Sequence, residues 1–246
     1  GRKPCSAAGC RFPRKACSAL ELRGNPFGET RSRLAWAAGL HVPVLSLPAR
    51  VEVLYWVGCA AAFDKRAQGI ARAMVNILNA SKMSWGVLGN QESCTGDAAR
   101  RLGEERLYQQ LAKQNIDLLA QVEHDVLVVH CPHCLQAFVQ EYPQIGSFPA
   151  RASTRILHHS EFIHELLQSG RIKTAPGNFG PVTYHDPCYL GRANGIFSAP
   201  RQVLQAASCA VLTEMSEAKD ASFCCGAGGG HSWFDLAAPK RINTLR

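Results

Sequence analysis

At 246 residues the chain is long enough to bury a core of its own, and holds one large domain or two small ones. With 46% hydrophobic and 19% charged residues, its composition excludes an intrinsically disordered chain. The formal charge of +8 sits almost wholly in residues 1–50, where nine Lys and Arg face only Glu21 and Glu29; the remainder carries 18 basic and 17 acidic residues, so no nucleic-acid partner is expected.

No apolar stretch reaches the ~20 residues of a membrane helix. The longest, 34–49, is interrupted by His41, Pro43 and Pro48, so membrane contact is expected through a partner or through segments absent from this chain. The sequence opens at Gly1 without a basic-then-apolar leader, which reads as a piece of an intracellular protein. In a reducing compartment, eleven cysteines in a chain of this size point to metal ligation or redox chemistry rather than to disulfide staples.

From residue 51 short apolar runs alternate with longer amphipathic ones, the pattern of βαβ units around a parallel sheet. The spacing predicts a buried strand over 51–57, a helix over 67–80 and a short strand over 85–88. A long helix follows over 98–122 with Leu107, Leu111, Leu118 and Leu119 inward, then a strand over 125–130. Beyond it come a helix over 161–169 closed by Gly170, a strand over 181–185, a helix over 200–206 begun by its proline, and a strand over 210–214.

The cysteines fall just past these strands. Cys59 follows the first, Cys94 the second, Cys131 and Cys134 the third, and Cys188 the strand over 181–185. In open parallel sheets the carboxyl ends of the strands form the ligand crevice, because loops diverge there. An internal repeat supports the pattern: Cys59 to Cys188 is an offset of 129 and Cys94 to Cys224 an offset of 130, with Cys94-Thr95-Gly96 answering to Cys224-Cys225-Gly226. The counterpart of Cys131-Pro132-His133-Cys134 would begin near position 261, and the chain ends at Arg246, so the second set is expected to lack its last pair.

At these residues the sequence resembles the CCG, or cysteine-rich, domain family of iron–sulfur subunits related to heterodisulfide reductase, glycolate and lactate oxidation, and electron-transfer-flavoprotein–quinone reductases. The resemblance rests on Val57-Gly58-Cys59, on 92–97 around Cys94, on Cys131–Cys134, on 185–192 around Cys188, and on 224–230 with Cys224 and Cys225. It implies two repeated Rossmann-like βαβ modules with short parallel sheets, over 51–150 and 151–246, after a basic linker over 1–50 that is a remnant of a ferredoxin-type region. Arg23-Gly24-Asn25-Pro26-Phe27-Gly28 resembles the connector of the membrane-attached relatives, which implies the cytoplasmic face of the plasma membrane.

The implied cofactor is a 4Fe–4S cluster, one or two per chain. Its ligands would be Cys59, Cys94, Cys131 and Cys134, with Cys188, Cys224 and Cys225 forming an incomplete second site. The implied function is that of an oxidoreductase component passing electrons from a flavoprotein or flavin dehydrogenase to a quinone or disulfide acceptor, without turnover on its own. Thr95 stands where the family often has a second cysteine, which leaves four thiols, the number that ligates an ordinary cubane cluster.

Two other functions are compatible with the residues. Zinc takes four thiolates, although structural zinc sites pair their ligands closely, and single ligands some 35 residues apart, as in Cys59 and Cys94, do not. A Cys131-x2-Cys134 pair at a helix start also suits a thiol–disulfide reductase, which would need neither Cys59 nor Cys94. Cys5, Cys10 and Cys17 lack ferredoxin spacing, and Cys209 reads as a buried inert thiol. The glycines at 226–230 do not lead from a strand into a helix as a dinucleotide site requires. His185 and Asp186 read equally as groups orienting the Cys188 loop or as turn caps, and His133, His158 and His159 as packed or solvated side chains.

Overall fold

The computed structural model describes residues 14–175, 177, 180–207, 211–228, 230–233 and 242. Its centre is a four-stranded parallel sheet of β1 (Ala49–Trp56), β2 (Trp85–Gly86), β3 (Val122–Val129) and β4 (Arg155–His158), in the order β2-β1-β3-β4. Successive strand side chains point to opposite faces, and β1 shows why this sequence is a central strand. Val53, Leu54, Tyr55 and Trp56 are all buried, with Leu54 and Trp56 on one face beside Leu127 and Val129, and Val53 and Tyr55 on the other beside Val126 and Val128.

Helices cover both faces. Helix α1 (Arg14–Arg23) precedes the sheet, and α2 (Gly58–Phe63) follows β1 directly. Helix α3 (Lys65–Ser81) starts where the Asp64 carboxylate accepts the Ala67 N–H at 2.8 Å and ends at Lys82 in the left-handed region. Its apolar stripe of Ala71, Met74, Val75 and Leu78 packs on the Val53/Tyr55 face.

The long helix expected over 98–122 is two helices, α4 (Asp97–Arg101) and α5 (Glu105–Leu119), and the sequence from Val122 belongs to β3. The break falls at Gly103, whose φ of +85° cannot continue a right-handed helix. Helix α5 lays Tyr108, Leu111, Ala112 and Leu119 on the Leu54/Trp56 face. After β3 come α6 (Pro132–Gln136), with proline in its first turn, and a π turn over Ala137–Glu141.

Strand β4 and helix α7 (His159–Gln168) extend the same body past residue 150. Strand β4 pairs with β3, and Phe162, Ile163 and Leu166 of α7 join the Val53/Tyr55 face. The segment 14–50 packs on this body too. Leu20 and Trp36 are buried, Val44 bridges to Val87, and the Cys94 N–H donates to the Gly24 carbonyl at 2.7 Å.

The later half is built differently. Helix α8 (Ser198–Ala207) forms as expected. Among the described residues, however, the runs expected as strands over 181–185 and 210–214 meet in a single parallel bridge, Val182 to Leu212. What pins this half is Asp186, whose carboxylate accepts two bonds at 2.8 Å from Arg201 and one from the Lys219 N–H at 2.7 Å.

Candidate metal centre

Three loops at the carboxyl ends of β1, β2 and β3 bring Cys59, Cys94, Cys131 and Cys134 to one edge of the sheet. Cys59, Cys94 and Cys134 are buried, and Cys131 is partly exposed. Cys59 lies in the first turn of α2, and Cys131 is the residue immediately before α6. Gly58 turns the chain in the left-handed region, φ +73°, which favours glycine, beside the Cys134 sulfur.

The Cys94 loop is fixed by a buried network. Asn115 Nδ2 donates to the Cys94 carbonyl at 3.0 Å and to the Tyr142 hydroxyl at 3.0 Å, and Tyr142 donates to the Thr95 carbonyl at 3.1 Å. The loop then turns at Gly96, with φ +83°, so that its N–H reaches the Cys94 sulfur at 3.4 Å. Thr95, where a fifth cysteine would stand, aims its hydroxyl at the Cys134 sulfur at 3.8 Å.

The thiols shift one another's ionisation in two pairs, Cys59 with Cys94 and Cys131 with Cys134. Cys59 is held below the ordinary thiol range, first by the bond from Cys94 and then by the Arg33 guanidinium, while Cys94 is pushed well up by the same pairing. Cys131 falls to about 6, through the bond from Cys134 first, then the charge of His133 and the N–H groups opening α6. Cys134 is raised well above the ordinary range, by Cys131 first and then by burial, with Cys94 and Cys59 adding to it. The Cys134 sulfur is thus within electrostatic reach of the other three.

Two charged residues complete the site. Glu92 is buried and spans the β1 end, accepting the Val57 N–H at 3.0 Å and the Gly58 N–H at 2.6 Å. Arg33 donates to Glu92 at 2.8 Å and points Nη1 and Nη2 at the Cys59 sulfur at 3.7 and 3.9 Å. Burial alone would lower the Arg33 pKa, but Cys59 and Glu92 raise it. Neither Arg33 nor Asn115 is among the residues expected from the sequence. Asn115 carried a signal, a polar residue on the inward stripe of α5 between Leu111 and Leu119; Arg33 carried none, being one of nine basic residues in the first fifth.

The loops that carry Cys188 and Cys224–Cys225 are joined to each other by hydrogen bonds. The Ser222 hydroxyl donates to the Asp186 carbonyl at 3.0 Å, and His185 Nε2 lies 2.9 Å from the Phe223 carbonyl, which ties the Cys188 loop to the Cys224 loop. His185 and Asp186 therefore orient these loops. The repeat is visible in atoms: the Gly226 N–H reaches the Cys224 sulfur at 3.4 Å, as Gly96 does for Cys94, and Gly226 has φ +73°. The two sets touch where the His133 ring lies 4.4 Å from that of Tyr189. Cys17 lies in α1, its thiol raised by burial and by Glu104. Cys5, Cys10 and Cys209 lie outside the described residues.

Among the described residues, no three Cys, His, Asp or Glu side chains close on the position of a single metal ion. The donor set is all sulfur, desolvated, and faced by N–H groups and a guanidinium, and these are the features by which proteins hold and tune iron–sulfur clusters. The residues present fit such a group.

Comparison with known proteins agrees with this chemistry. The chain is 43% identical over 223 residues to the "Probable membrane-anchored ferredoxin" of Chromohalobacter salexigens, covering 90% of this chain and 33% of that protein. It is 38% identical over 240 residues to the "EtfAB:quinone oxidoreductase" of Syntrophomonas wolfei, covering 92% and 33%. One component of the dihydromethanophenazine:CoB--CoM heterodisulfide reductase of Methanosarcina barkeri is 30% identical over 210 residues, covering 84% and 49%. The chain thus spans a third of the first two relatives and about half of the third. No solved structure matches it. The cysteine-rich domain matches over residues 53–138 and 182–245, which include all seven of these cysteines, and the chain belongs to the CCG cysteine-rich domain family.

Proposed function

We propose that the chain is the iron–sulfur electron-transfer portion of an oxidoreductase, and the observation that carries this is the convergence of four thiols from three strand-end loops beneath N–H and guanidinium donors. An iron–sulfur cluster, when bound, supplies reversible one-electron transfer. The protein's part is to hold sulfur and exclude water. Cys59, Cys94, Cys131 and Cys134 are the ligands of one 4Fe–4S cluster, and Thr95 in place of a fifth cysteine favours the cubane form.

Cys188, Cys224 and Cys225 belong to a second, related module. The matching bonds of Gly96 to Cys94 and Gly226 to Cys224 support that reading. The domain organisation we propose is a basic segment over 1–50 followed by two cysteine-rich modules, the first with its sheet and the second hung on Asp186 and Arg201. Electrons enter from a flavoprotein or flavin dehydrogenase and leave to a quinone or a disulfide, in keeping with the names of the relatives. Among the described residues no helix is long and apolar enough to cross a membrane. We place the protein at the cytoplasmic face of a membrane through a partner or further sequence.

Anaerobic reconstitution with ferrous iron and sulfide, followed by metal and sulfide analysis, tests the proposal. Iron and acid-labile sulfide in near-equal amounts, with a brown colour bleached by dithionite, are expected. One equivalent of zinc without sulfide would overturn it in favour of a structural zinc module. Steady turnover by this chain without an added flavoprotein would contradict the assignment of substrate chemistry to a partner.

A further inference from the structure

Of the two residues at the ligand set that no sequence motif flagged, Arg33 is the one that reaches a sulfur, and we propose that it is a positioning residue for Cys59 that raises the reduction potential of the group held on the four cysteines. The inference rests on the iron–sulfur reading of those cysteines.

Three features of the geometry separate Arg33 from an ordinary surface arginine. Its side chain is only 10% exposed and its partner carboxylate, Glu92, 2% exposed, so the pair works in a medium that screens charge poorly. The guanidinium spends its fork on two targets at once, Glu92 at 2.8 Å and the Cys59 sulfur at 3.7 and 3.9 Å, and its flat face covers the Phe63 ring at 5.4 Å. Glu92 does not neutralise Arg33 idly. Its two oxygens hold the N–H groups of Val57 and Gly58, the two residues before Cys59. The cation is therefore locked against the backbone that presents the sulfur.

One-electron reduction adds a unit of negative charge to the sulfur-bound group. A fixed cation with N–H donors on one of the sulfurs stabilises that added charge, which raises the potential. The anion behind the cation does the opposite from farther away. Removing each in turn should move the potential in opposite directions, whereas a merely structural pair would loosen the site alike in both variants.

The test is an anaerobic midpoint titration, by visible absorbance and electron paramagnetic resonance, of the chain reconstituted with ferrous iron and sulfide. Arg33→Gln is expected to lower the midpoint and Glu92→Gln to raise it. Arg50→Gln, which removes the same charge from a side chain 81% exposed at the start of β1, should leave it unchanged. Equal midpoints in Arg33→Gln and the parent at equal iron content would overturn the inference. So would shifts of the same sign in Arg33→Gln and Glu92→Gln. If Arg33→Gln folds but holds no iron, Arg33→Lys decides: iron retained with a midpoint near the parent's supports the role, and iron lost again overturns it. Failure of the parent chain itself to take up iron and sulfide would instead sink the reading of the four cysteines on which this rests.

Discussion

The two cysteine sets repeat the same local turn on different foundations. Around Cys94 and Cys224 a left-handed glycine two residues on gives its N–H to the sulfur at 3.4 Å in both cases. Yet Cys59, Cys94 and Cys134 are 7–8% exposed, at the end of a parallel sheet with helices on both faces, while Cys188, Cys224 and Cys225 are partly exposed, on loops tied by Asp186 and its partners. Local chain chemistry is enough to shape a sulfur-directed turn. Burying that sulfur, and converging four of them, takes a packed sheet underneath.

The comparison is sharpened most by ligand deletion. Cys131→Ala should remove most of the iron and sulfide from reconstituted protein, and Cys188→Ala should leave most of both in place, as read by metal analysis and absorbance. If Cys188→Ala strips as much iron as Cys131→Ala, the two sets serve one site and the contrast between them fails.

Stability offers the next test. Phe138 is fully buried, edge-on to Trp56 at 5.0 Å and to Tyr142 at 5.0 Å. Phe138→Ala should cost about 3–5 kcal/mol in urea unfolding, by lost transfer energy and the cavity left behind. Val211, 82% exposed in the later half, has little to lose; Val211→Ala should stay within about 0.5 kcal/mol of the parent. A comparable cost at both positions would mean that the later half is as tightly packed as the first.

Acid should act on both halves, in different windows. His158 at the end of β4 and His159 at the start of α7 are lowered to about 2 and about 4, chiefly by burial. The unfolded chain takes up these protons near pH 6.5 and the folded chain resists them, so stability is full above that value and is lost as pH falls below it. The urea midpoint should therefore decline between pH 7 and pH 5, and His159→Leu should flatten the decline, because it removes a buried titrating group whose Nδ1 has no hydrogen-bond partner among the described residues. In the later half Asp186 is held low by its bonds from Arg201, so its contribution is present above the usual carboxylate range and is lost only as pH falls through the lowered value. A midpoint flat from pH 7 to 5 would show that the buried histidines do not set the acid limit.

The smallest effect expected is for Asp186→Asn at neutral pH. Asparagine leaves Arg201 its pairing with Glu214, so the first cysteine set should keep its iron while the Cys188 and Cys224 thiols become faster to alkylate. Loss of iron from the first set would show that the two halves are one cooperative site.

Much of this organisation was legible from residue order. Strand β1 and helix α3 announce themselves because a run of apolar residues and a period-3.6 stripe are local signals, although α3 starts at Lys65, two residues before the expected 67, where Asp64 caps it. The cysteines at strand ends followed from those elements. Gly103 also signalled a break in the helix expected over 98–122, but apolar residues on both sides masked it. Strand β4 is four residues with no alternation of its own, and it becomes a strand only by pairing with β3.

By itself, then, the sequence determined the sulfur chemistry: which residue types, how many, and in what order along the chain. The tertiary structure decided which of them share a buried edge, and it alone brought Arg33 and Asn115 to the site and joined Glu92 to Arg33. Arg33 reaches Cys59 across 26 positions of chain and Asn115 reaches Cys94 across 21. Such contacts have no local period or motif to betray them, because they exist only once β1, β3 and α5 are packed and the cost of burying a charge or an amide is met by a partner brought from elsewhere.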